Sequence, residues 1–65
     1  MVENSARTKE TQLKDYKGFE IWKIEDFNIF DRKISTLYEV ADDEDAIDFF
    51  RTLSEAKKYI DTILV

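Results

Sequence analysis

Ala46-Ile47-Asp48-Phe49-Phe50-Arg51-Thr52-Leu53-Ser54-Glu55-Ala56-Lys57-Lys58-Tyr59-Ile60-Asp61 decides the fold, because this stretch supports two readings. As a single helix, positions 46, 49, 53, 56, 60 and 63 make an unbroken three–four repeat. The acids at 42–45 would then sit beside the positive helix end, where they are favourable. That reading gives a β-hairpin followed by one long helix from Asp42 to Leu64. As a strand followed by a helix, Thr52-Leu53-Ser54-Glu55 is a capping box, in which Thr and Glu satisfy amides the first turn leaves orphaned. The Ile- and Phe-rich segment before the box favours a strand. Read so, Ala46 to Leu53 puts Ile47, Phe49 and Leu53 on one face and Phe50 on the other. After Thr52, the residues Ala56, Tyr59, Ile60, Ile63 and Leu64 give an apolar stripe, with Lys57, Lys58 and Asp61 outside. The capping box favours the split, and the acids of 42–45 then belong to a hairpin turn.

Upstream, Lys33 to Val40 alternates cleanly: Ile34, Thr36, Tyr38 and Val40 share one face, and Ser35, Leu37 and Glu39 the other. Tyr16 to Glu25 reads as another strand, with Phe19 and Ile21 on one face and Trp22 and Ile24 on the other. Gly18 before it suggests a bulge or a close backbone approach. Asn28 and Asp31 suit a turn. Because Phe27, Ile29 and Phe30 share that segment, either the strand continues through it or the loop folds back over the core. Residues 1–15 are polar, with Leu13 the only large apolar residue after Val2, and too little surface is available there to offset the entropy of ordering. They are expected to form a disordered N-terminal tail, or at most a short helix from Asn4 or Ser5. The expected architecture is α+β over residues 16–65: a three-stranded antiparallel sheet packed by one C-terminal helix.

With 65 residues, no Cys, no His, no Pro and one Gly, the chain has no disulfide, histidine base or phosphate-cradling glycine loop to use. Nine aromatics supply large areas to bury in so short a chain. The net charge of −5 favours solubility and opposes attraction to nucleic acid or anionic membranes. It is uneven: residues 1–17 carry four bases and three acids, residues 18–65 six bases and twelve acids. No apolar run approaches the roughly 20 residues of a membrane span, so a cytoplasmic location is expected.

Phe50-Arg51-Thr52-Leu53-Ser54-Glu55-Ala56-Lys57-Lys58-Tyr59-Ile60-Asp61, after an opening Tyr16-Lys17-Gly18-Phe19-Glu20-Ile21-Trp22-Lys23, resembles small phage- and mobile-element-encoded proteins. The resemblance implies a strand-rich front and a closing helix that begins around a Thr-Leu-x-Glu-Ala-Lys signature. It carries over architecture and no catalytic residue.

Two features are candidates for contact with a partner. The first is the sheet face the helix would leave uncovered, bearing Trp22, Ile24, Leu37 and Phe50, since large apolar patches seldom stay bare. The second is the acidic connection Asp42, Asp43, Glu44 and Asp45, part of a run with six acids between Glu39 and Asp48. Such a cluster can mimic nucleic-acid phosphates toward a basic groove, or simply keep the chain soluble. A calcium loop would need a central Gly and a distant Glu, which this run lacks, so no metal or cofactor is expected. Without a Ser-centred elbow, His or Cys, enzymatic activity is not expected either. The chain therefore reads as a small acidic, non-enzymatic protein-interaction module, such as a phage or mobile-element adaptor or inhibitor acting on a host protein. A small nucleic-acid-binding regulator and a homodimeric structural protein are the alternatives.

Overall fold

The structure, a computed structural model, describes residues 6–64. Four antiparallel strands follow one another in space as in sequence: β1 (Arg7–Gln12), β2 (Glu20–Phe27), β3 (Lys33–Ala41) and β4 (Ala46–Phe50). A seven-residue helix α1 (Leu53–Tyr59) continues into a π-helical turn, Ile60–Leu64. The α+β class and the C-terminal helix agree with the sequence reading. The sheet has four strands rather than three, and Ala46–Phe50 is a strand rather than part of a long helix.

The helix starts where the capping residues require. Thr52 is extended (φ −132°, ψ 153°), and its Oγ1 accepts the Glu55 N–H at 3.1 Å. The Glu55 carboxylate takes the Thr52 hydroxyl rather than its backbone amide. Ala56 and Ile60 then meet Ile21 of β2 and Val40 of β3, which lie directly opposite each other. These four buried side chains are the centre of the core. Leu13, Tyr16, Phe19, Tyr38, Ile47, Phe50, Leu53 and Leu64 pack around them. Ile63, counted in the apolar stripe, is 63% exposed, because the wider π turn brings Leu64 rather than Ile63 to the sheet.

The fourth strand comes from the stretch expected to be a disordered tail. Every residue of β1 is exposed, so apolar burial does not order it. Its ladder to β2 does, with Arg7 opposite Phe27 through Gln12 opposite Trp22. Paired backbone groups hold the strand without a hydrophobic side. Residues 1–5 of that expected tail lie outside the described residues.

Gly18 marks neither a bulge nor a close approach. It is the second central residue of the tight turn Tyr16-Lys17-Gly18-Phe19, with φ of 51° at Lys17 and 88° at Gly18. Tyr16 and Phe19 exchange both backbone hydrogen bonds at 2.9 Å. Positive φ at both positions matches the twist of the flanking strands, and Gly adopts it freely. The turn is fastened to the helical end. The Tyr16 hydroxyl donates to both carboxylate oxygens of Asp61 (3.1 and 3.0 Å), and the Lys17 ammonium pairs with the same group. Lys17, with help from Tyr16, holds Asp61 below the ordinary carboxylate value of 3.8. Hydrogen bonding to Asp61 in turn raises Lys17 and Tyr16 above theirs.

Candidate interaction surface

Directly opposed residues share a face of a sheet, so the register defines the outer face as four rungs, the last of them Glu20 opposite Ala41. Thr8, Asp26 and Ser35 form the first, Glu10, Ile24 and Leu37 the second, and Gln12, Trp22, Glu39 and Phe49 the third. In the first rung, the hydroxyls of Thr8 and Ser35 donate to the two oxygens of Asp26 at 2.7 and 2.9 Å. Ile24 and Leu37 stand side by side in the second rung. Trp22 is their diagonal neighbour and donates its indole N–H to Glu20 Oε1 at 3.1 Å. Trp22, Ile24 and Leu37 are half-buried although the helix packs on the opposite face.

Phe50, placed with them by simple alternation, is on the other side. It pairs with Tyr38, and its ring lies 5.0 Å from that of Tyr59, against the core. The cause is a bulge: Val40 faces Asp48 while Ala41 faces Ala46, so Ile47 is an extra residue that breaks the period of two. Phe49 takes the outer position instead, opposite Glu39 and 49% exposed. Sequence reasoning missed Phe49 because nothing local marks the bulge.

The acidic connection is a tight turn between β3 and β4. Asp42 is committed to it: Oδ1 accepts the N–H groups of Glu44 and Asp45, both at 2.9 Å. Those amides hold its carboxyl below the ordinary value. Asp43, Glu44 and Asp45 remain exposed. Among the described residues, no group of three or more acids converges as a metal site would require.

The sheet also sorts charges that look interleaved in sequence. Arg7, Lys9, Lys23 and Lys33, all the bases of the four strands, belong to the side of Ile21 and Val40, where Lys33 pairs with Glu25 at 3.6 Å. Glu10, Glu20, Asp26 and Glu39 belong to the outer face, which has no base on any strand. Alternation every second residue thus leaves one face of the sheet without a base, although bases and acids are interleaved along the chain.

The fold and this face define a four-stranded meander backed by one short helix, with a half-buried apolar strip bordered by carboxylates. No protein family, curated protein or solved structure matches the chain. No helix among the described residues is long and apolar enough to cross a membrane.

Proposed function

We propose that the chain is a non-enzymatic protein-interaction module whose outer sheet face, centred on Trp22, Ile24 and Leu37, binds a protein with an apolar centre and a basic rim. The observation that supports this most is the segregation of charge: the apolar strip has Glu10, Glu20, Glu39 and Asp26 beside it and no base. Complementary charge around an apolar centre steers encounter and selects partners, and buried aromatics supply most of the affinity. The exposed acids of the β3–β4 turn extend the same sign of potential past the Glu20 end of the face. An adaptor or inhibitor that occupies a basic groove on a host protein, as an element-encoded origin would imply, is the form this reading takes.

The same charges oppose the two alternatives. A homodimer through this face would bring two sets of like-charged carboxylates together, which is costly across an interface. Nucleic acid would meet phosphate-repelling acids on the outer face.

The test is affinity capture with the intact chain as bait, beside a Trp22→Ala/Leu37→Ala variant shown by circular dichroism to fold. The captured partner is expected to bind the variant about thirtyfold or more weakly, the usual scale of an aromatic anchor. Its affinity is also expected to fall with added salt and with Glu10→Gln/Glu39→Gln. Equal binding by the two chains, or indifference to salt and to the Gln variant, sinks the proposal.

A further inference from the structure

The two most exposed large apolar side chains of the described residues are neighbours. Ile29 and Phe30 are 78% and 75% exposed, and both stand at the tip of the β2–β3 hairpin. The sequence allowed this segment to fold back over the core, and it does the opposite. The tip is also built to stay put. Asn28 Oδ1 accepts the N–H groups of Phe30 and Arg32 at 2.9 and 3.0 Å, and Asn28 donates its own N–H to the Arg32 carbonyl at 2.9 Å. Asp31 takes a positive φ of 62° and pairs with Arg7, whose guanidinium also lies 4.3 Å from the Phe27 ring centroid. Two apolar groups are thus displayed on a prearranged turn, with little ordering left to do on binding.

The charges around the tip run against the sign of the whole chain. Residues 6–9 and 25–35 contain Arg7, Lys9, Arg32 and Lys33 against Glu25, Asp26 and Asp31, with Arg7 paired to Asp31 and Lys33 to Glu25. The acids of the β3–β4 turn lie at the other end of β3, a nine-residue strand in a molecule 40 Å long and 19 and 17 Å across. At about 3.3 Å per residue that strand spans roughly 30 Å, several times the roughly 8 Å over which charge is screened at physiological salt. An anionic surface touching the tip therefore meets this local excess of base and not the distant acids. The net −5 is an average over two ends that act separately.

We propose that the Ile29-Phe30 tip inserts into the interface of an anionic lipid bilayer, with Arg7, Arg32 and Lys33 at headgroup level and the helical end held away from the membrane. A bilayer fits better than the pocket of a protein because the bases flank the tip from both sides, Arg7 on β1, Arg32 just before β3 and Lys33 at its start. That arrangement suits a laterally uniform negative surface, where basic side chains keep their charge at the headgroups while apolar ones enter. This binding is peripheral and independent of the outer sheet face.

The test is co-sedimentation of the full chain with phosphatidylcholine vesicles, with and without about 30% phosphatidylserine. Binding to the anionic vesicles alone is expected, and it weakens as salt rises from about 0.05 to about 0.5 M. Ile29→Ser/Phe30→Ser, both at exposed positions, should keep the circular dichroism spectrum and lose at least about tenfold in affinity. Arg32→Gln should lose roughly fivefold, the usual effect of one base near a charged surface. Phe30→Trp in a Trp22→Phe background should show a blue-shifted emission quenched by brominated lipid. Absence of binding to anionic vesicles at low salt overturns the proposal. So does full binding by the Ser variant, or an indole emission from the Phe30→Trp variant that brominated lipid leaves unquenched. Tip-dependent binding to a protein with no vesicle binding likewise overturns it, and assigns the tip to a protein pocket.

Discussion

The two ends of this sheet are held together by different forces. At one end the helix lies on Ile21 and Val40, and buried aliphatic contact supplies the cohesion. At the other, β1 and the distal β2–β3 hairpin extend beyond the helix and depend on backbone ladders, the Thr8–Asp26–Ser35 bonds and the Arg7–Asp31 and Lys33–Glu25 pairs. Exposed pairs of this kind contribute little each, whereas a buried Ile contributes several kcal/mol. Stability is concentrated at the helical end, and the distal arm is free to carry exposed apolar groups that a core would hide. A very small domain can separate folding from contact in this way.

Truncation at the two ends should break the symmetry most clearly. Ile60→Ala removes one of four buried core side chains and is expected to cost about 3 kcal/mol, a large fraction of the stability of so small a domain. Ile29→Ala, at the tip, should stay within about 0.5 kcal/mol of wild type. Urea unfolding followed by circular dichroism reads both, and comparable losses would mean the arm is packed after all.

A smaller effect is expected at the junction. Thr52→Ala removes the hydroxyl that accepts from the Glu55 amide and should cost about 1 kcal/mol, while Thr52→Ser should restore nearly all of it. An unchanged melting temperature in the Ala variant would show that sheet packing alone fixes the helix start.

The smallest effect is the pH dependence of the Tyr16–Lys17–Asp61 clasp, which is exposed and strengthens the covered end only modestly. Asp61 is depressed in the folded state, so its contribution is present above the ordinary 3.8 and fades as pH falls through the lower folded value. Lys17 and Tyr16 are raised, so theirs is present below about 10 and fades as pH rises through their folded values. The gap in urea midpoint between wild type and Asp61→Asn should therefore be widest near neutral pH and narrow at both extremes. A gap independent of pH would mean that the clasp is not electrostatic.

Much of this was legible along the chain. The strand from Lys33 to Val40, the opposition of Ile21 to Trp22 and Ile24, and the helix start after Thr52 all follow from neighbours a few residues apart. The Thr52 hydroxyl and Glu55 act within one turn, and Val40 and Tyr38 share a face by local pleating. Four features were not legible, each for a reason rooted in pairing between distant segments. β1 is ordered by ladder bonds to β2 that its polar side chains do not announce. The bulge at Val40/Ala41 exchanges Phe49 and Phe50 between faces, and only the β3–β4 register contains it. The Ile29-Phe30 tip is exposed because the short helix reaches only the far end of the sheet.

The fourth is the distribution of charge. By itself, the sequence determined that the chain is acidic, that it switches from strand to helix at Thr52, and that Trp22, Ile24 and Leu37 alternate away from the core. Only the tertiary structure decided that all the strands' bases lie on one side of the sheet, that bases also gather at the hairpin tip, and that the acidic turn lies at the opposite end. Periodicity and capping are short-range properties of a chain, whereas a surface is assembled from strands whose register no single segment encodes.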